Sequence, residues 1–353
     1  MLSAIAAVMD FGDVFNIWLC PDLSEKNGLI EYLHRKLLMF EEVVSIQRLE
    51  VKFDSAPTLR HKQLYANGLM QVRVLVLISG GDAQANEVSL HGHPAMQTLR
   101  LISYNGARPI SGGWNVETQE NRYAHDMTGG IARATPLVPA AHNRITDPVE
   151  PVQVYEFWIT STRPGSLQIA AEITLGDEVV RSNGQSGGDS SVTLEAISPV
   201  KYPVSHFSLE KVSERVIDRF DAIHRYSLGL YADRRSIHLL DWTSTQVQKD
   251  DEYATLFFVS KNINDSHPGG RTFCGYMAPV YGASATIRGP KGFVGTPVNQ
   301  QPGNLTVLSY LSPDYQSQRA RDQVFELTVF DEFGTEHWLR IRPDFSERSF
   351  KLI

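Results

Sequence analysis

Apolar and polar residues alternate most clearly between Gln153 and Leu175. Every second residue in the latter half of this stretch is apolar, which is the period of a strand with one buried face. Pro164 presets φ for a turn and Gly165 accepts a positive φ. The pattern therefore predicts two strands folded back on each other as a hairpin around Arg163-Pro164-Gly165. Its apolar positions are Tyr155, Phe157, Ile159, Leu167, Ile169, Ala171, Ile173 and Leu175.

Short strand-like patterns recur along the rest of the chain, separated by clusters of Gly, Pro and Asn without helical spacing between them. Such punctuation favours antiparallel sheets over alternating β and α units. Ser208–Arg219 fits a helix by its apolar spacing or a strand by its β-branched residues, and the strand-like segments that follow it favour a strand. We predict a mainly β fold with two antiparallel β-sandwich-like domains. The clearest further strands are Leu69–Ile78, Thr98–Tyr104, Glu178–Arg181, Ser190–Ile197, Ala254–Ser260, Leu305–Leu311, Val324–Phe330 and His337–Ile341.

The N-terminal region has a different pattern. Met1–Cys20 is an apolar arm, interrupted by acidic residues and lacking a basic start, which is typical of neither a signal peptide nor a membrane span. It could pack on its own chain or on a neighbouring subunit, with Phe11, Phe15 and Trp18 as contact residues. Apolar residues at three- and four-residue spacing then predict one amphipathic helix, from about Glu25 to Glu42. These are Leu29, Ile30, Leu33, Leu37 and Phe40.

These patterns divide the chain into three parts. Residues 1–60 form the arm and helix, residues 61–203 the first β-sandwich domain, and residues 204–353 a second β-rich domain. Two Gly- and Pro-rich stretches, Gly112–Pro151 and Asn262–Gly303, are predicted to be long loops. Loops of that length are usually functional or ordered by a partner.

Composition narrows the class of protein. The chain has 353 residues, 42% of them hydrophobic and 21% charged, which suits a folded globular protein. A net charge of -7 provides no basic field for nucleic acid, so we predict no nucleic-acid partner. The two cysteines, Cys20 and Cys274, are too few for a disulfide framework and are predicted to be buried thiols.

The chemistry-bearing motifs are weak. His91 and His93 could hold a metal with Asp82 or Glu87, but nothing fixes a third ligand, and solvated loop histidines are the simpler interpretation. We predict no metal site there.

Catalytic patterns are equally incomplete. Gly282–Thr286 departs from a nucleophile elbow at its last position, and Cys274 has only the distant His267 as a base. The acidic pairs Asp250-Asp251 and Asp331-Glu332 suit a linker and a turn, so we predict that they lie on the surface. No phosphate-cradling or dinucleotide motif occurs. No catalytic residue and no cofactor are predicted.

The chain resembles structural proteins of tailed-bacteriophage particles. The resemblance lies in the entry strand YANGLMQVRVLVLI, the segment RPGSLQIAAEITL and the extended Gly/Pro stretches, which are similar in style to tail, baseplate and head-decoration β-domains. It implies a non-enzymatic assembly role in a virion assembled in the host cytoplasm. The implied partners are further copies, as a homo-oligomer, and other particle proteins, with no membrane partner.

Two other functions stay open. A glycan-binding β-sandwich could stack sugars on Trp114, Tyr123 or Trp158, although Trp158 lies within a strand and suits the core. A hydrolase could assemble its site from residues distant in sequence. Trp114 and Tyr123 are therefore candidate interaction residues.

Overall fold

The computed structural model describes residues 43–53, 58–127, 151–184, 188–218, 221–263, 271–289, 292–312 and 324–353. The predicted arm and helix, with Phe11, Phe15 and Trp18, lie outside these ranges. Over the described residues the fold is mainly β and contains no α-helix. No helix in those ranges has the length and apolar character needed to cross a membrane. The chain divides into two compact units, Met1–Ile197 and Ser198–Ile353.

Two sheets build the first unit. The strands are β1 Ser45–Lys52, β2 His61–Tyr65, β3 Val72–Gly81, β4 Glu87–Val88, β5 Arg100–Ser103, β6 Arg108–Pro109, β7 Trp114–Glu117, β8 Gln153–Ser161, β9 Gly165–Leu175, β10 Glu178–Arg181 and β11 Val192–Ile197, with a 3₁₀ turn at Pro94–Thr98. One sheet has the order β1-β3-β8-β7 with β4 on β3, and the other has the order β2-β11-β9-β5-β6 with β10 on β9. All described strand pairs of this unit are antiparallel except β2 with β11.

Apolar side chains from both sheets meet in the core of this unit. Ile78 of β3 and Ile173 of β9 are fully buried in one cluster, which also holds Leu90. The predicted β-sandwich-like architecture is thereby confirmed at this coarse level. Strand β1 pairs with β3 throughout its length, so the first sheet begins ahead of residue 61, where the sequence placed the start of the domain.

The predicted hairpin at Arg163-Pro164-Gly165 is wrong in its pairing. Both strands exist, but β8 pairs with β3 and β7, whereas β9 pairs with β11 and β5. The turn therefore carries the chain from one sheet to the other. Alternating apolar residues followed by a Pro-Gly turn are compatible with either connection, because both bury one face of each strand.

The second unit also has two main sheets and a separate hairpin. The strands are β12 Phe207–Val216, β13 Ala222–Ala232, β14 Arg235–Ile237, β15 Leu239–Thr243, β16 Thr255–Ile263, β17 Arg271–Met277, β18 Ser284–Gly289, β19 Gly292–Pro297, β20 Leu305–Ser312, β21 Phe325–Asp331, β22 Glu336–Asp344 and β23 Ser349–Leu352, with a 3₁₀ turn at Val204–His206. The two main sheets have the orders β12-β13-β20-β17-β16, with β14 on β13, and β15-β21-β22-β23, and the separate hairpin is β18-β19.

Stacked aromatic rings join the two main sheets of this unit. The ring centres of Phe257 in β16 and Phe325 in β21 are 4.3 Å apart, and those of Phe273 in β17 and Phe350 in β23 are 5.0 Å apart. Each pair takes one ring from either sheet, so the core is a layer between them. The predicted sandwich-like packing holds here too.

The prediction of a long loop over Asn262–Gly303 is wrong. Strands β17, β18 and β19 lie within it, and β17 is a central, buried strand of the larger sheet. Gly275 shows the reason, because a Cβ there would come within 2.7 Å of the rings of Phe257 and Phe350. This glycine marks close packing inside a strand and does not mark a loop. Strand β7 similarly lies in the other predicted loop, of which residues 128–150 are outside the described ranges.

Irregularities in pairing are confined to sheet edges. The described register shifts fall in β1, β12, β15 and β16, and each of these strands ends its sheet. In β12 the extra residue is Val212, between Lys211 and Ser213. Bulges and charges on an edge strand hinder pairing with another chain. The bulged edges of β1, β12, β15 and β16 are therefore poorly suited to pairing with another chain.

Candidate functional site: the Trp338 face

The turn between β21 and β22 is held by a buried acid. Asp331 is 1% exposed, and its Oδ1 accepts hydrogen bonds from the backbone N–H groups of Phe333 at 2.9 Å and Thr335 at 2.8 Å. Its Oδ2 lies 3.0 Å from Nε2 of His337, which is 3% exposed. A buried carboxylate with several donors is satisfied and costly to remove. Asp331 thus locks the turn that starts β22.

His337 is committed on both sides of its ring. Nδ1 accepts a hydrogen bond from the backbone N–H of Tyr202 at 3.4 Å, so Nε2 is the nitrogen that donates to Asp331. The ring of Phe207 packs edge-on against it, with centres 5.4 Å apart. A His–Asp pair of this kind resembles a catalytic dyad in composition, but both imidazole nitrogens are engaged within the fold. Its role is to anchor the strand.

The predicted surface position of Asp331-Glu332 is wrong. Glu332 is 5% exposed, and its Oε2 lies 3.9 Å from Nδ1 of His238. Burial raises the pKa of Glu332, although His238 and Arg235 oppose the shift. The sequence suggested solvated turn residues because acids are common in turns, whereas here the turn itself is folded into the core.

The anchoring of the first residues of β22 directs the Trp338 side chain toward solvent. Successive residues of a strand point to opposite faces, so the burial of His337 and Leu339 turns the intervening side chain away from the core. Trp338 is 61% exposed. The guanidinium carbon of Arg340 lies 5.7 Å from its ring centre, and Arg340 Nε lies 3.5 Å from Oε1 of Glu326. A cation above an indole ring and tied to a neighbouring strand restrains the exposed ring.

The surrounding residues form one continuous outer surface of two paired strands. Trp338 lies directly opposite Thr328, and Phe330 of β21 lies opposite Glu336 on the same face. Trp and Arg are enriched at the energetic centres of protein interfaces, and charged residues are common at their rims. We call this surface the Trp338 face: Glu326, Thr328, Phe330, Glu336, Trp338 and Arg340.

The candidate residues of the first unit lie elsewhere. Trp114 is half-buried in the edge strand β7, opposite Ser161. Tyr123 is only 7% exposed, so it offers little ring surface to a glycan. Trp158 is 4% exposed and packs on His125, with ring centres 4.5 Å apart, which confirms its predicted place in the core. Tyr123 and Trp158 therefore do not form a stacking platform.

Other candidate groups also have structural roles. Nδ1 of His93 accepts a hydrogen bond from the backbone N–H of Ala95, and burial lowers the pKa of His93. Within the described ranges, no three His, Cys, Asp or Glu side chains are grouped as a metal site requires. Cys274 is a buried free thiol, as predicted, and burial raises its pKa to about 12. A thiol with so high a pKa carries no thiolate at neutral pH.

Sequence reasoning placed His337–Ile341 in a strand but did not identify the Trp338 face. The signal was present in the segment HWLRI, where Leu and Ile alternate with Trp and Arg. If one face of the sheet is known to be covered, Leu and Ile belong to that face, and Trp338 and Arg340 lie on the open one. Only the second layer of the sandwich supplies that knowledge.

Comparisons with known proteins do not assign the chain to a family. No family model and no curated protein matches it. Solved structures with some similarity include a bacterial integrin-binding invasin, with 11% identity, 88% of this chain and 40% of that chain covered, and a TM-score of 0.19. Domains 5–6 of the S-layer protein SbsC match with 9% identity, 87% and 96% coverage, and a TM-score of 0.19. The C-terminal domain of the Streptococcus pyogenes antigen I/II-family protein AspA matches with 9% identity, 84% and 97% coverage, and a TM-score of 0.21. The chain spans less than half the length of the invasin structure. TM-scores at this level carry no function over to this chain.

Proposed function

We propose that this chain is a non-enzymatic structural protein of a tailed-bacteriophage particle, associating with its own copies and with other particle proteins. The Trp338 face is one of its contact surfaces. The observation that carries the assembly role is an indole that is 61% exposed yet restrained by Arg340 on a firmly anchored strand. The assignment to a phage particle rests on the sequence resemblance.

Two further features support association through sheet faces and a non-enzymatic role. The bulges in β1, β12, β15 and β16 disfavour pairing of those four edges with another chain. Both ring nitrogens of His337 form hydrogen bonds within the fold. Burial raises the pKa of the Cys274 thiol, which keeps it protonated. A rigid sheet surface with an aromatic centre loses little conformational entropy on binding.

The assembly role predicts that Trp338→Ala weakens association of the full chain. Truncating a central interface Trp typically costs at least about 2 kcal/mol, or about thirtyfold in dissociation constant. Sedimentation velocity over a concentration series measures this change. Tyr231→Ala is the matched control, because Tyr231 is 60% exposed in the same unit but lies in β13.

Two results would overturn this proposal. One is equal association of the Trp338→Ala and parent chains in the presence of their native partners. The other is that the parent chain stays monomeric and that mass spectrometry does not detect it in any isolated particle. Stoichiometric recovery from a phage particle, together with the loss caused by Trp338→Ala, supports both parts of the proposal.

A further inference from the structure

A second surface of the same unit has the features of a ligand site. An open groove of about 590 Å³ lies beside the β18-β19 hairpin, and its lining includes Gln248, Asp250, Tyr253, Tyr276 and Arg288. Small-molecule sites commonly have volumes of about 300–1,000 Å³ and combine apolar walls with a few polar groups. The groove has the size and the mixed lining of such a site.

An exposed aromatic side chain contacts two of the residues that line the groove, and together they form an aromatic platform. Phe293 of β19 is 62% exposed and pairs across the hairpin with Arg288. The guanidinium carbon of Arg288 lies 5.5 Å from the ring centre of Phe293, and the ring centre of Tyr253 lies 5.8 Å from it. Two aromatic rings and a guanidinium plane thus gather at one point on the surface.

The backbone fixes this platform in place. The N–H of Ala254 donates to the carbonyl of Thr286 at 3.0 Å, which ties the segment carrying Tyr253 to the hairpin. Oδ1 of Asp250 accepts from the N–H groups of Glu252 and Tyr253, both at 2.9 Å. These bonds hold the platform before any ligand arrives, so binding pays little ordering entropy.

The polar groups of the groove suit an uncharged, hydroxyl-rich ligand. The hydrogen bonds from Tyr253 and Glu252 lower the pKa of Asp250, so its carboxylate is ionised at neutral pH. The groove lining thus carries one acidic and one basic side chain, Asp250 and Arg288. In the part of the chain that the structure describes, the side chains of Arg288 and Gln248 have no hydrogen-bond partner. Together, Arg288, Gln248 and Asp250 provide hydrogen-bond donors and acceptors, and their formal charges sum to zero.

From this arrangement we propose that the groove binds a neutral oligosaccharide. The apolar face of one sugar ring stacks on Phe293, and Arg288, Gln248 and Asp250 hydrogen-bond to hydroxyl groups along the groove. This site shares no residue with the Trp338 face, although Gln246 in its lining accepts a hydrogen bond from the backbone N–H of Glu326. It adds a recognition function to the proposed assembly role. A purely apolar peptide would leave the charged groups of the groove unpaired, which is costly.

Saturation-transfer NMR and titration calorimetry of the full chain test this proposal against short neutral glucans, mannans, galactans and chitin oligomers. Phe293→Ala should lower the affinity for the bound sugar by about tenfold or more, and Phe293→Tyr should retain it. Arg288→Gln should lower the affinity by a similar factor, because it removes charged donors. Trp338→Ala is the control and should bind sugar as the parent does.

The two proposals fail separately. Absence of binding to every sugar of the panel, or unchanged affinity in Phe293→Ala, overturns the sugar site without affecting the association measured for Trp338→Ala. A protein or peptide that crosslinks next to Phe293 and is not displaced by sugar also overturns it. Sugar binding that depends on Phe293 but not on Trp338 establishes the groove as the site.

Discussion

A buried carboxylate in the first unit should contribute strongly to its stability. Glu172 of β9 is 4% exposed and lies between two arginines on neighbouring strands. Its Oε1 accepts from Nη2 and Nε of Arg100 at 2.5 Å and 3.0 Å, and its Oε2 accepts from Nε of Arg181 at 2.6 Å. The acid therefore ties together three strands of one sheet.

The expected effect of Glu172→Gln follows from these exposures. Removing one partner of a fully buried ion pair costs about 3–5 kcal/mol. The arginine side chains here are 60% and 30% exposed, so water can solvate them again and the cost falls to about 2–3 kcal/mol. For a unit of this size the melting temperature should fall by about 5–10 °C. Differential scanning calorimetry of the full chain measures the shift.

Acid should remove the difference between the parent and Glu172→Gln. Burial alone would raise the pKa of Glu172, but the hydrogen bonds and charges of Arg100 and Arg181 outweigh it and leave the pKa below its ordinary value of 4.5. A lowered folded-state pKa stabilises the fold above pH 4.5, and this contribution is lost as pH falls through the lower folded value. The two melting temperatures should therefore converge as the pH falls from 4.5 through the lowered pKa of Glu172.

A matched surface pair supplies the control. Nη1 of Arg73 lies 2.9 Å from Oε1 of Glu156, and both side chains are 33% exposed. Glu156→Gln should cost at most about 1 kcal/mol, because exposed pairs contribute little. Equal shifts for Glu156→Gln and Glu172→Gln would refute the reasoning, as would a difference from the parent that persists unchanged in acid.

Two further predictions concern packing and edges in the second unit. Gly275→Ala should cost about 1–3 kcal/mol by pressing on Phe257 and Phe350, whereas Gly295→Ala, with nothing within 4 Å of its Cβ, should change the calorimetric melting temperature little. Equal melting temperatures for both variants would contradict this account. Deleting Val212 removes the bulge from β12 and should increase aggregation in light scattering, since a regular edge pairs more readily. Scattering no higher than that of the parent would show that the bulge does not protect the edge.

Most of the strands could be predicted because the sequence signals for a strand lie within the strand itself and in the turns next to it. The continuous apolar run Leu69–Ile78 predicts β3, and Val72, Val74, Val76 and Ile78 within it are fully buried. Asn67 precedes this strand, and its Oδ1 accepts from the N–H groups of the two residues after Gly68. Period and turn chemistry act within a few residues, so one chain is enough to read them.

The errors arose where local chemistry permits two arrangements. Gly275 looks like a loop residue until Phe257 and Phe350, distant in sequence, are found against it. Nothing next to Glu172 in the sequence indicates its partners, whereas in the fold Arg100 and Arg181 reach it from the strands on either side. Tyr123 appeared available to a ligand but is covered. In each case the deciding group comes from another strand.

The sequence by itself determined that the described chain is mainly β, where many of its strands run, and that Trp158 and Cys274 belong to the interior. Those properties follow from residue type and period, which are fixed along the chain. Tertiary structure alone decided that β8 and β9 enter different sheets, that Asp331 is buried, and that Trp338 and Phe293 remain outside. These outcomes depend on which surfaces cover one another. The free energy of that packing is shared among residues far apart in sequence.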